Sequence, residues 1–237
     1  MQIIGIIPAR YASTRFPGKP LIDIQGKSMI QRVYEQACKA EELTDVLVAT
    51  DDERIFNHVR SFGGKVLMTS SHHPTGTDRI IEIANTINAD SYINIQGDEP
   101  FIQPEQINKL ASYFKTRTPT QAPIATLIRA CSDSVLIESP NSIKVVLKQN
   151  GEAMYFSRAV IPFNRNKQEI SYWKHIGMYG YSHEALQIIK LLSLGTNEQI
   201  ESLEQLRWLE NGLSIQTLVT TIETISIDVP EDLLKIK

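Results

Sequence analysis

The chain begins with a short, nearly continuous apolar run, Ile3-Ile4-Gly5-Ile6-Ile7, closed by Pro8, the pattern of a parallel strand buried on both faces. A polar loop runs from there to about Pro20. Ser28 then precedes Met29, Ile30, Val33 and Ala37 at helical spacing, which predicts a capped amphipathic helix. Val46 to Ala49 forms a second predicted strand, followed by a helix start at Thr50-Asp51-Asp52-Glu53. Lys65 to Met68 is a third strand. A helix over Thr77 to Ile87, with Thr77 as its N-cap, turns Ile80, Ile81, Ile83 and Ala84 inward. Tyr92 to Ile95 is a fourth strand, and Pro104 opens another helix, since proline is at home in a first turn. Strand–helix alternation over residues 1–120 predicts an α/β fold with a doubly wound, mostly parallel sheet.

After residue 120 the period changes. Ile143 to Leu147 and Ala153 to Phe156 flank Lys148-Gln149-Asn150-Gly151-Glu152, and Asn-Gly between alternating segments marks a hairpin. With an alternating strand over His175 to Tyr181, this predicts an inserted antiparallel lobe. Helices near His183–Leu192 and Glu198–Asn211 follow, the latter with Ile200, Leu203, Leu206 and Leu209 as a core-facing stripe. Strands are predicted near Ile215–Val219 and Thr224–Ile227, then a final helix. No repeat or low-complexity linker interrupts the chain, so residues 1–237 are expected to form a single domain with halves at 1–120 and 121–237.

Charge narrows the range of partners. The 24 basic and 27 acidic residues leave a net charge of −3, which argues against a general nucleic-acid binder. No apolar run approaches the roughly 20 residues of a membrane span, and no basic leader precedes the first strand. Cys38 and Cys131 are far apart and suit reduced thiols. A cytoplasmic protein with no nucleic-acid or membrane partner is expected.

The candidate chemistry starts in the loop after the first strand. It reads Pro8-Ala9-Arg10-Tyr11-Ala12-Ser13-Thr14-Arg15-Phe16-Pro17-Gly18-Lys19-Pro20-Leu21, with no acid before Asp23. In open α/β sheets, ligands bind beyond the carboxyl ends of strands. Ala9, Ala12, Ser13 and Gly18 are small enough for backbone N–H groups to approach phosphate oxygens, and Arg10, Arg15 and Lys19 supply charge. Three cations alone fit a solvated basic loop equally well; the position and the small residues favour phosphate. Neither G-x-x-x-x-G-K-[ST] nor G-x-G-x-x-G is present, which argues against an ordinary P-loop kinase or dinucleotide oxidoreductase.

Further along, Gln96-Gly97-Asp98-Glu99-Pro100 places Asp98 at a strand's carboxyl edge, where a hard cation such as Mg²⁺ would accept it together with phosphate oxygens. A turn or capping acid is the plain alternative, and it is the stronger one for Glu99. Asp228, in Ile227-Asp228-Val229-Pro230-Glu231-Asp232-Leu233, could equally cap a helix. Gly76 would let the chain approach a flat base. Arg158 has the fork geometry for a carboxylate. Nothing in the bare sequence separates His175, Tyr179, Glu204 or Gln205 from structural or solvated residues.

The opening loop, from Ile7 to Leu21, resembles the signature of the 3-deoxy-manno-octulosonate cytidylyltransferases, a family within the nucleotide-sugar pyrophosphorylases. The segments at 73–79, 96–100, 155–162, 175–181, 202–207 and 227–233 resemble further motifs of that family in matching order. The resemblance implies that Ala9, Arg10, Ser13 and Lys19 hold the triphosphate of CTP, while Thr75 and Gly76 contact the cytosine and Arg79 anchors the pocket or the triphosphate. Asp98 and Asp228 would bind Mg²⁺, and Gln96, Arg158, His175, Tyr179, Glu204 and Gln205 would line the site for an acidic octulosonate sugar. Arg10, Lys19, Asp98 and Asp228 then form the catalytic set. Residues 1–120 would be the nucleotide-binding half and 121–237 the sugar-binding and dimerisation half of a homodimer. Ser226, Val229 and Phe163 depart from the family's usual Gly, Thr and Trp. Within the enzyme class the rivals are enzymes for an 8-amino octulosonate or a sialic acid; outside it, a silent nucleotide-sugar sensor.

Overall fold

The computed structural model describes residues 1–12 and 16–235. The chain forms two compact units, Met1–Lys115 with Glu223–Lys237, and Thr116–Ile222. The closing segment thus belongs with the first unit.

In the first unit, β1 (Ile3–Ala9) is followed by a small hairpin, β2 (Asp23–Ile24) and β3 (Lys27–Ser28), and by α1 (Met29–Ala37). The turn between β2 and β3 places Gln25 and Gly26 at φ 52° and 81°. Arg32 on α1 pins it by donating to the carbonyls of Ile24 and Gln25. The sequence hides this hairpin because glutamine is an unusual left-handed turn residue. Then come β4 (Asp45–Thr50), α2 (Glu53–Ser61), β5 (Val66–Met68), α3 (Gly76–Thr86), β6 (Ser91–Asn94) and α4 (Pro104–Thr116). All the strand pairs of this unit's main sheet are parallel, in the order β5-β4-β1-β6. The chain winds outward from β1 through β4 and β5, then returns to the other edge of β1 with β6. Such a reversal leaves a crevice at the carboxyl ends of the two central strands.

Two expectations shift here. β1 does not stop at Pro8. Ile3 turns its carbonyl toward the β4 side, accepting from Thr44, whereas Ile6 turns its carbonyl toward β6, accepting from Ile95 at 2.9 Å. Pro8, two residues on from Ile6, also faces β6, where pairing has already ended at Ile6 and Asn94. Its missing N–H therefore interrupts no ladder. The N-cap of α3 is Thr75 rather than Thr77: Thr75 and Asp78 form a reciprocal capping box, and Thr77 is buried inside the first turn.

The second unit contains β7 (Ile124–Cys131), α5 (Ser134–Glu138), β8 (Lys144–Leu147), β9 (Ala153–Ser157), β10 (Tyr172–Ser182), α6 (His183–Ile189), α7 (Thr196–Glu201), α8 (Gln205–Glu210) and β11 (Ile215–Val219). Its order is β11-β7-β10-β8-β9, antiparallel except for the β11–β7 pair. The expected helix over Glu198–Asn211 is two short helices. Ser202 sits at φ 52° between them, and Arg158 donates to the carbonyls of Glu201 and Ser202 that a longer helix would have used. Ile200 is consequently exposed, while Leu203, Leu206 and Trp208 are buried. Thr224–Ile227 forms no strand. Its partners are a turn, since Ile227 donates to the Asp98 carbonyl at 2.9 Å and Thr224 donates to the Glu99 carboxylate at 2.6 Å. The final helix is a short 3₁₀ segment, Pro230–Lys235.

Candidate active site

Beyond Ile6 and Asn94 the two central strands part, and a glycine sets the path of the chain after β6. A Cβ on Gly97 would lie 2.8 Å from the Pro8 carbonyl oxygen. Only glycine lets this segment pass so close to β1, and the passage carries Asp98 to the carboxyl end of the sheet. A Cβ on Gly76, at the start of α3, would lie 3.5 Å from the Pro8 ring, so this segment also runs close to the end of β1. The end of β1 is therefore bordered by two of the segments singled out in the sequence, those of Gly76 and Gly97.

The basic loop folds back on itself. Gly18, at φ 72°, donates to the Tyr11 carbonyl and lies under the Tyr11 ring. The Arg54 guanidinium lies 3.3 Å from the centre of that ring and pairs with Asp52. Lys19 opens a 3₁₀ turn, Lys19–Leu21. Its Nζ sits 2.9 Å from Asp98 Oδ2 and 3.6 Å from Asp228 Oδ1. Two carboxylates thus meet at one cation. Their backbones are fixed independently of it: Ile227 N–H donates to the Asp98 carbonyl, and the N–H groups of Asp228 and Val229 donate to the buried Asp232 carboxylate. Nothing in the sequence separates Asp232 from the rest of its motif. Glu99 is buried on Thr224, which makes it a tie for the closing segment. Ala9 is buried at the end of β1, Arg10 is exposed, and Gln96 is half-buried. Ser13 and Arg15 lie outside the described residues.

The Asp98–Asp228 pair also suits a divalent ion. Among the described residues no third His, Cys, Asp or Glu joins them into a metal-binding group. The remaining ligands would be phosphate oxygens and water, the set that Mg²⁺ favours because it gives up its hydration shell reluctantly.

The segment before α3 is strapped from below. Arg79 is 3% exposed and donates to Asp51 at 2.8 Å, to Thr69 at 2.7 Å and to the Ser70 carbonyl at 3.0 Å. Glu82 accepts from the Ser70 N–H and from His73. The Arg79 guanidinium is thus spent on the loop's own groups, and it shapes the segment that presents Thr75 and Gly76. No sequence signal singled out Asp51 or Glu82 as its supports.

The other expected residues lie in the second unit. Arg158 donates from Nε to the Glu201 carbonyl at 2.7 Å and from Nη1 to the Pro140 carbonyl at 2.9 Å. Carbonyls carry no formal charge, so these bonds do not pair the guanidinium with an anion. Its main chain is held by Glu201, which accepts from the Arg158 N–H and the Ser157 hydroxyl, and by buried Lys144, which donates to the Arg158 carbonyl. Burial lowers the Lys144 pKa, with Arg158 adding to the effect and Glu201 opposing it.

On β10, Gly177 and Met178 are extra residues in a bulge opposite β7. The Thr126 hydroxyl fills it, 2.8 Å from the Met178 carbonyl and 2.9 Å from His175 Nε2. If Thr126 spends its one hydrogen on Met178, His175 must donate, which assigns the ring proton to Nε2 and leaves Nδ1 as an acceptor. Burial lowers the His175 pKa to about 3, so the ring is neutral at ordinary pH. It packs between Phe156 and Tyr179, and Tyr179 continues to Tyr181 and Trp208. Burial first, then Tyr181 and Glu204, push the Tyr179 phenol well above its usual value despite Thr126. Glu204 is ion-paired to Arg207 at 3.2 Å. Gln205 is 5% exposed, and its Nε2 has no hydrogen-bond partner among the described residues. A buried amide left in that state is costly unless a ligand satisfies it.

Comparison with known proteins agrees with this geometry. Residues 4–219 match the family profile described as Cytidylyltransferase. A 3-deoxy-manno-octulosonate cytidylyltransferase of Cytophaga hutchinsonii is 54% identical, covering 100% of this chain and 96% of the relative. An 8-amino-3,8-dideoxy-manno-octulosonate cytidylyltransferase of Shewanella halifaxensis is 45% identical over 98% of this chain and 96% of its own length. The solved structure of CMP:2-keto-3-deoxy-manno-octonic acid synthetase complexed with CTP superposes with a TM-score of 0.94 at 43% identity, covering 99% of this chain and 96% of that one. With a family profile matching residues 4–219 and relatives identical at about half of its residues over nearly its whole length, the chain belongs to the cytidylyltransferase family.

Proposed function

We propose that the chain transfers the CMP group of CTP to the anomeric hydroxyl of 3-deoxy-manno-octulosonate, releasing pyrophosphate and supplying an activated sugar for lipopolysaccharide synthesis. The observation that carries this reading is the convergence of Asp98 and Asp228 on one cation at the carboxyl end of β1. The names of the full-length relatives support the choice of nucleotide and sugar.

In the reaction, the sugar oxygen forms a bond to the α-phosphorus while the bond from that phosphorus to its bridging oxygen breaks. The electron pair leaves on pyrophosphate, and the hydroxyl proton passes to solvent. Positioning and charge neutralisation carry most of the catalysis in such transfers. Arg10 and Lys19 neutralise the leaving pyrophosphate, with Ala9 and Ser13 lending backbone or hydroxyl donors. Thr75 and Gly76 seat the base on a segment that Arg79 keeps in shape. Arg158 binds the sugar carboxylate, while Gln96, His175 Nδ1, Tyr179, Glu204 and Gln205 offer groups for its hydroxyls. Asp98 and Asp228 would hold one or two Mg²⁺ ions, which when bound would offset phosphate charge and polarise the reacting phosphate.

The enzyme is proposed to act in the cytoplasm, where CTP is available; no helix among the described residues is long and apolar enough to cross a membrane. A homodimer is proposed because the second unit exposes Phe163, Leu191, Leu194 and Ile200, an apolar set that a second copy would cover. Sedimentation equilibrium reads that directly, and a monomer at micromolar concentration would refute it.

The test of the reaction is pyrophosphate release from a panel of acidic sugars with CTP or UTP. The expected result is turnover with CTP and 3-deoxy-manno-octulosonate and little with UTP. The Shewanella relative makes the 8-amino sugar the informative competitor: a higher kcat/KM for it would reassign the substrate.

A further inference from the structure

Lys19 has two duties that one ammonium group cannot perform together. It bridges Asp98 and Asp228, yet the proposed reaction asks it to neutralise phosphate oxygens, and the same carboxylates are to receive a divalent ion. The backbone around all three is fixed. Gly18 and Pro20 flank Lys19, whose turn is closed by the hydrogen bond from Leu21 N–H to the Gly18 carbonyl, and both aspartates are laced in place by Ile227 and Asp232. What can move is the four-carbon side chain of Lys19. Two carboxylates that share one ammonium repel each other unless a cation lies between them, and Lys19 supplies that charge.

We infer that Lys19 is an exchangeable counter-ion that occupies the Asp98–Asp228 pair until a triphosphate draws it away, so that metal and nucleotide binding are coupled through this side chain. The inference rests on the metal role proposed for the two aspartates. Without nucleotide, a divalent ion must compete with the ammonium. With nucleotide, the ammonium gains phosphate partners and the pair opens to the metal, so each ligand favours the other.

The experiment measures Mn²⁺ binding to the nucleotide-free full chain by electron paramagnetic resonance. Lys19→Met removes the competing charge and should bind Mn²⁺ about tenfold tighter than wild type, as expected for loss of two partly exposed ion pairs. Lys19→Arg should stay near the wild-type affinity. Lys19→Gln serves as a second neutral variant should Lys19→Met melt early. Unchanged or weaker Mn²⁺ binding in a folded neutral variant, including no binding by either protein, overturns the inference. In Lys19→Met/Asp98→Asn the gain should vanish; if it persists, the ion sits elsewhere and the inference fails with it. CMP transfer by wild type is read separately. Its absence beside the expected metal result would remove the reaction and leave the exchange standing, and its presence beside an unchanged metal affinity would do the reverse.

Discussion

At the scale of single residues, the expected sugar set divides into one cation, one carboxylate paired with Arg207, and several neutral groups. The Arg158 guanidinium is bonded to uncharged carbonyls, whereas burial keeps His175 neutral at ordinary pH. Arg158→Ala should therefore raise the sugar KM about tenfold or more while the CTP KM changes little, since a charge-assisted hydrogen bond contributes about 1.5–3 kcal/mol. Equal rises in both constants would remove Arg158 from sugar binding. For His175 the consequence concerns stability. Its folded pKa of about 3 lies below the ordinary 6.5, so between those values the unfolded chain takes up a proton that the folded chain refuses. Stability is then fully present above 6.5 and falls as pH drops through the window, by about 1.4 kcal/mol per pH unit from this group. Urea unfolding stepped through the upper part of that window should show the slope in wild type and a flatter one in His175→Gln; equal slopes would contradict the assignment. The charge state of His175 was not legible in the sequence, because it depends on burial by residues far from it along the chain.

At the scale of elements, β1, β4, β5, β6, β10, β11 and the Asn150-Gly151 hairpin were legible because period and turn chemistry agreed, whereas β2, β3 and β7 were not read. Three misreadings share one cause, which is that a tertiary partner overrode a local signal. Pro8 continues β1 because no strand pairs with it on the β6 side. The predicted helix at 198–211 breaks where Arg158 takes its carbonyls, and Thr224–Ile227 pairs with a turn in place of a strand. The close approach of Gly97 to β1 is the element-scale feature most exposed to test. A methyl group at 2.8 Å from the Pro8 oxygen cannot be absorbed by a flexible side chain, because the obstacle is backbone. Gly97→Ala should cost about 1–3 kcal/mol of stability and lower kcat by displacing Asp98. A variant with wild-type melting and turnover would show that the approach is not required.

At the scale of the whole molecule, the nucleotide-side residues belong to the first unit and most of the sugar-side residues to the second. Alternation of strands and helices made the first unit readable, but not the return of residues 223–237 to it. That return rests on hydrogen bonds at Asp98 and Glu99 and on Ile227 packed with Ile24 and Met29, which leave no periodic trace, and the motif around Asp228 was the only pointer. The loop after β1 reads as a phosphate site from its position, its cations and its small residues. Its link to Asp98 and Asp228 through Lys19 required coordinates. The central claim is a phosphoryl bond between cytidine monophosphate and an octulosonate, and ³¹P NMR of a mixture of enzyme, Mg²⁺, CTP and 3-deoxy-manno-octulosonate tests it most directly. The account predicts a new phosphodiester resonance growing in step with pyrophosphate as CTP disappears. Unchanged CTP, or conversion to CMP and pyrophosphate with no sugar-linked phosphorus, would contradict it.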